Sequence, residues 1–130
     1  MVKLDEKTKK LLQAKNFVFI ATVNKDGTPH LTPTWVDTDG ENVLINTALG
    51  RKKVKNVEKD ARVVVGVFAM SNPYEHVTID GRVVKQITGK QAEEHIDRMA
   101  KKYMGKDTYP YRTPTEKRVI FVIEPLKTYA

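Results

Sequence analysis

The chain contains no cysteine. Disulfides, thiolate metal sites and cysteine nucleophiles are therefore excluded together. No apolar run approaches the roughly eighteen residues needed to cross a bilayer. Acid is scarce as well: Asp plus Glu number 16 against 23 Lys plus Arg, for a net charge of +7. Such a surface attracts anions, whether nucleic acid, acidic lipid or a phosphorylated cofactor. Paired catalytic carboxylates, HExxH and GxSxG are all missing, which leaves side-chain acid/base or nucleophilic catalysis without support. An enzyme built on this sequence would take its chemistry from a cofactor. The histidines, His30, His76 and His95, match no local metal-ligand spacing.

What is present is the composition of a soluble globular protein, 40% apolar and 30% charged. Its 130 residues suit a single domain, 1–130, with one modest core. The opening "MVKLDEKTKKLLQAKN" lacks the charged-then-apolar layout of a secretion signal. The expectation is a cytoplasmic protein with no membrane partner.

"LDEKTKKLLQAKN" reads as a short helix with Leu4, Leu11, Leu12 and Ala14 on its apolar side. Three strands follow, separated by turn signals at Asp26-Gly27 and Asp39-Gly40. The first, Phe17 to Val23, is apolar on both faces, as in a strand covered from two sides. Gly50 to Lys59 reads as a short basic helix, with Val54 and Val57 inward. Two strands come next, "RVVVGVFAM" and "EHVTIDGRVVKQI", the second with a bulge or bend expected at Gly81. "TGKQAEEHIDRMAKKYMG" is the clearest helix: Thr88 and Gln91 have capping-box spacing, and Gly105 stands at a C-cap. Ala92, Ile96, Met99, Ala100 and Tyr103 form its buried stripe, with His95 beside it in a packing or surface role. A proline-broken loop leads to the last strand, "RVIFVIEPLKTY". The order α-β-β-β-α-β-β-α-β is that of a single α+β domain dominated by antiparallel strands.

"NTALGRKKVKN", Asn46 to Asn56, concentrates the charge. At a strand-to-helix junction, unpaired amides and the helix dipole favour an anion. Gly50 lets a bound group approach the backbone, and Thr47 can offer a hydroxyl. Arg51 could fork onto two phosphate oxygens, with Lys52 and Lys53 as point charges. A solvated charged face or a nucleic-acid patch would use the same residue types. In "HLTPTWVD", Thr32 and Thr34 face one way, while Leu31, Pro33 and Trp35 face the other. Pro33 demands an edge or an interruption. Trp35 could wall a flat ring, although filling core is the default for a lone aromatic. Tyr74, Glu75 and His76 open a strand where side chains could enter a groove.

These strings together, "ATVNKDGTPHLTPTWVDTDG", "INTALGRKKVKNVEKDARVVV" and "YEHVTIDGRVV", resemble the pyridoxamine 5′-phosphate oxidase-like split-barrel flavoproteins. The branch using the deazaflavin F420 matches best, and the resemblance runs on through "KKYMGKDTYPYR" to the last strand. It implies a six-stranded antiparallel split β-barrel with flanking helices, and a homodimer with cofactor sites at the subunit interface. It places a cofactor phosphate against Thr47, Arg51, Lys52 and Lys53, with Asn56 close by. Thr32, Pro33 and Thr34 would line the ring, with Trp35 nearby, and Tyr74 and His76 would arrive from the other subunit. The implied reaction is hydride transfer from the reduced ring to a small conjugated acceptor. F420 is the expected cofactor, because surplus cations at Lys52, Lys55 and Lys59 suit its oligoglutamate tail; FMN is the alternative. The chain ends "IEPLKTYA" without the Arg/His-bearing segment of pyridoxamine phosphate oxidases proper, which argues against vitamin B6 oxidation. A non-catalytic flavin or haem carrier and a nucleic-acid-binding module are the competing classes.

Overall fold

A computed structural model describes residues 1–130. The elements are α1 (Glu6–Gln13), β1 (Val18–Val23), β2 (Pro29–Thr34), β3 (Asp37–Thr38), β4 (Val43–Ala48), α2 (Lys52–Lys59), β5 (Arg62–Ala69), β6 (Asn72–Thr88), α3 (Lys90–Met104) and β7 (Arg118–Tyr129). The strands form one seven-stranded antiparallel sheet, ordered β2-β1-β5-β6-β7-β4-β3. It curls into a half-barrel around a core of 19 buried residues, among them Val18, Ile20, Ile45, Val65, Ile79 and Phe121. No helix is long and apolar enough to cross a membrane.

The count of seven rather than six strands has a local cause. The run from Pro29 changes partner at Trp35-Val36: β2 pairs with β1, and β3 pairs with β4 at the opposite end of the sheet. Pro33 sits on an edge strand, where its missing N–H costs no ladder bond. Val36 stands outside both ladders and is buried, so its backbone groups need other partners. Helix α3 supplies them. The Tyr103 hydroxyl accepts from the Val36 N–H at 3.0 Å and donates to the Asn16 carbonyl at 2.6 Å. Lys102 Nζ donates to the carbonyls of Val36 at 2.7 Å and Leu12 at 2.8 Å. Burial pushes the Tyr103 hydroxyl up to about 12 and brings the Lys102 ammonium down to about 8, the latter opposed by the charge of Asp37.

Two local expectations need correction. The α3 N-cap is Gly89, at φ 78°, and no side chain caps the helix; Thr88 instead ends β6 in register with Val119. The sheet ladder claims the threonine before a capping box can form. Strand β1 is covered on one face only: Val18 and Ile20 are buried, but Phe19 is 43% exposed. On that bare face the register aligns Leu31, Ala21 and Val64, and beside them Pro33, Phe19 and Gly66.

The expected irregularity at Gly81 is present. The β6–β7 register shifts between Asp80 and Gly81, letting the 17-residue β6 leave β5 and continue against β7. A Cβ at Gly81 would lie 2.6 Å from Ile123 Cγ2 and 2.9 Å from the Glu124 carbonyl oxygen. Backbone cannot yield as a flexible side chain does, so Gly81→Ala should destabilise the fold by about 1–3 kcal/mol, the usual scale of overpacking. Urea denaturation measures this, and an unchanged midpoint would refute the close-approach argument.

Candidate functional site

The two ends of the curled sheet meet at a cavity of about 280 Å³. Pro33 and Thr34 line it from β2, Asn46 and Thr47 from β4, and Trp35 from the joint between the sheet ends. Arg51 and Lys53 enter from the start of α2, Ile96 and Met99 from α3, Arg118 from the start of β7, and Phe17 and Tyr109 from loops. Trp35 stacks on Tyr103 with centroids 5.0 Å apart and planes 3° from parallel. Tyr109 meets Trp35 edge-on and lies under the Arg118 guanidinium at 5.2 Å. Trp35 is half-buried and outside the barrel core, so it serves as a cavity wall braced by an aromatic neighbour rather than as plain filling.

One end of this cavity is strongly cationic. Glu116 pairs with Arg118 at 2.7 Å and approaches Arg51 at 3.7 Å. Lys53, only 7% exposed, has no carboxylate within ion-pair reach. Burial, and then the charges of Arg51 and Arg118, push its ammonium below the ordinary lysine value. The Thr47 hydroxyl is buried and has no hydrogen-bond partner. Arg51 is the N-cap of α2 without capping it through its side chain, and no acid occupies the first turn. The Lys52 and Lys53 amides have no partner within the helix and lie at the positive end of its dipole. An orphaned hydroxyl, a lone buried ammonium and two guanidiniums sharing one carboxylate together suit a phosphate group.

Of the residues expected in a cofactor site, the cavity brings together Pro33, Thr34, Trp35, Thr47, Arg51 and Lys53. Thr32 lies on the inner face of β2 opposite Ile20, its hydroxyl buried and unpartnered, away from the cavity lining. Gly50, at φ 92°, has open space where a Cβ would stand, so it serves the turn by its conformation. Lys52 and Asn56 are directed away from the cavity. They line a groove of about 1000 Å³ with Lys55, Lys59 and the Val23–Gly27 turn. The Asn56 amide is spent on the protein itself, donating at 3.0 Å to both Thr22 Oγ1 and Asn24 Oδ1. Tyr74 is 92% exposed, and His76 lines a separate apolar hollow with Phe19 and Phe68.

Sequence reasoning missed Asn46, Tyr109 and Arg118. Arg118 carried a signal: it heads the apolar run "VIFVI" and is itself buried, an expensive place for a charge without a purpose. Asn46 and Tyr109 meet it only through the fold.

The sign of the Lys53 effect can be tested on the protein without added ligand. Its folded-state pKa lies below the unfolded 10.5, so at neutral pH the unfolded chain accepts the charge more readily. The penalty is complete below the folded value, shrinks as pH rises towards 10.5, and is gone above it. Lys53→Met should therefore raise stability near neutral pH and lose its advantage by about pH 10.5. Urea denaturation across that range decides, and a variant less stable at neutral pH would contradict the assignment.

A family model described as pyridoxamine 5′-phosphate oxidase matches residues 4–130. No curated protein sequence matches the chain. Among solved structures, an F420 reductase is 25% identical, with a TM-score of 0.83 over 97% of this chain and 98% of that one. A conserved hypothetical protein of Mycobacterium tuberculosis is 19% identical, with a TM-score of 0.68 over 96% of this chain and 82% of that one. HupZ of Group A Streptococcus, at 14% identity, reaches a TM-score of 0.65 over 96% and 97%. The last two share the fold alone. The barrel split at Val36 and the cationic cavity beside it are thus features of a chain that belongs to the pyridoxamine 5′-phosphate oxidase family.

Proposed function

We propose that the chain is an oxidoreductase that binds coenzyme F420 and passes a hydride to a small conjugated acceptor. The observation that carries this reading is the buried, unpartnered Thr47 hydroxyl beside the unpaired Lys53. The similarity to an F420 reductase over nearly the whole of both chains supports the choice of cofactor. So does α2, whose second face turns Lys52, Lys55 and Lys59 into the larger groove with Lys25. None of these four lysines is in an ion pair, and a tail of glutamates would supply their counter-charge. FMN is the second reading, because the cavity cations alone suffice for its phosphate.

When bound, the reduced deazaflavin supplies the hydride. The protein supplies position and electrostatics. Thr47, Arg51, Lys53 and Arg118 would hold the phosphate, while Pro33, Thr34 and Trp35 would face the ring system. The Trp35–Tyr103 stack gives that wall rigidity. We further propose a homodimer formed through the bare face around Leu31, Phe19 and Val64. Tyr74 and His76 would then serve the partner's site.

Fluorescence titration with F420 and FMN discriminates the cofactors. Arg51→Ala and Arg118→Ala should each weaken F420 binding by about 1.5–3 kcal/mol, the scale of a hydrogen bond to a charged group. No binding of either cofactor at micromolar concentration, or full affinity in both variants, would sink the reading. For the dimer, Leu31→Glu should shift the sedimentation coefficient from that of two chains to that of one. A wild type that sediments as a monomer would refute the assembly.

A further inference from the structure

Asp37, His95, Asn46 and Arg118 form an unbroken hydrogen-bonded line from β3 to the cavity. Each proton in it can be assigned. Asn46 Nδ2 spends one hydrogen on the Ala92 carbonyl at 2.9 Å and the other on His95 Nδ1 at 3.0 Å. Asn46 Oδ1 accepts from Arg118 Nε at 2.9 Å. Turning the amide over would set oxygen against the Ala92 carbonyl and N–H against the Arg118 N–H, a clash of like groups at both ends. His95 Nδ1 must therefore present a lone pair, and its proton resides on Nε2, 2.9 Å from Asp37 Oδ2. His95 is 1% exposed, so water offers no alternative partner.

We propose that His95 is a positioning residue of the anion site: its unprotonated Nδ1 fixes the Asn46 amide, and the amide aims the Arg118 guanidinium at the cavity. The proposal rests on the anion reading above for what Arg118 grips. A second proton on the imidazole would meet the Asn46 N–H, and the relay would loosen at Arg118. Other charged groups face the line from each side. Asp37 on β3 accepts from His95, and Lys102 on α3 acts on Asp37. Glu93 on α3 accepts from the Arg118 amide, Glu116 holds Arg118 Nη1 and approaches Arg51, and Lys53 on α2 adds a titratable ammonium beside Arg118 whose response to pH is common to the wild type and every His95 variant. A histidine acting only as a nearby charge would strengthen anion binding when protonated. The relay gives the opposite sign.

Inorganic sulfate is a suitable probe, because its charge does not change near neutral pH. Long-range ¹⁵N–¹H correlation spectra of the ligand-free protein should show His95 as the Nε2–H tautomer; an Nδ1–H tautomer overturns the proposal. Sulfate affinity, followed by the Arg118 Nε–H resonance, should fall as His95 protonates. His95→Asn keeps an acceptor near the Nδ1 position but cannot take a proton, so affinity should be retained and this pH dependence abolished. His95→Leu leaves an Asn46 proton unpaired and should bind sulfate about fivefold or more weakly, the equivalent of one lost hydrogen bond. A His95→Asn variant that keeps the wild-type pH dependence, or one as weak as His95→Leu, overturns the relay alone. A wild type that binds no sulfate overturns the anion reading and the relay together.

Discussion

The cavity at the split of this fold depends on one corner, the passage of the chain through Val36. A strand that abandons one edge of a sheet for the other must leave backbone groups outside any ladder, and here that happens in a buried position. Leaving a buried polar group unpaired costs about 1–3 kcal/mol, a serious fraction of the roughly 5–15 kcal/mol that holds a domain together. Tyr103 and Lys102 remove that cost with adjacent residues of one helix. The same helix sends Ile96 and Met99 into the cavity and His95 into the line behind it. The corner, the cavity wall and the polar relay are thus consequences of where α3 lies.

Helix α2 divides the positive charge between two tasks. With 3.6 residues per turn, Lys52, Lys55 and Lys59 fall on one side, and Lys53 on another. The residues on the groove side remain solvated and cost little. Lys53 is different: it is held away from water beside two guanidiniums, which makes its charge costly to the fold. On the proposed reading, an anion bound there would offset that cost.

Much of this was legible in the residues wherever the cause was local. Pro33 announced an edge, Gly81 a bulge and Gly105 a left-handed helix end, because each imposes its constraint within a few positions. The basic stretch from Asn46 to Asn56 pointed correctly to a helix start, though not to Lys52 and Asn56 lying in the groove rather than the cavity. Trp35 and Val36 have strong strand character, so their departure from the ladder left no mark in the pattern. Thr88 had a legitimate cap spacing and lost it to the β6–β7 pairing. The Asn46–Arg118 bond spans 72 residues and the Asn46–His95 contact 49, and no periodicity reports such meetings.

The topology also decides how the cavity can deform. Every pair of neighbouring strands is bound by backbone ladders except the two ends of the sheet, which are joined only through the Trp35–Val36 segment. Widening any other part of the half-barrel means breaking rows of hydrogen bonds together. The split is held instead by that single joint and by the α3 side chains that pin it, Tyr103 and Lys102. The barrel is closed by ladders around its circumference but by side chains across its own seam, and the seam is where the cavity opens.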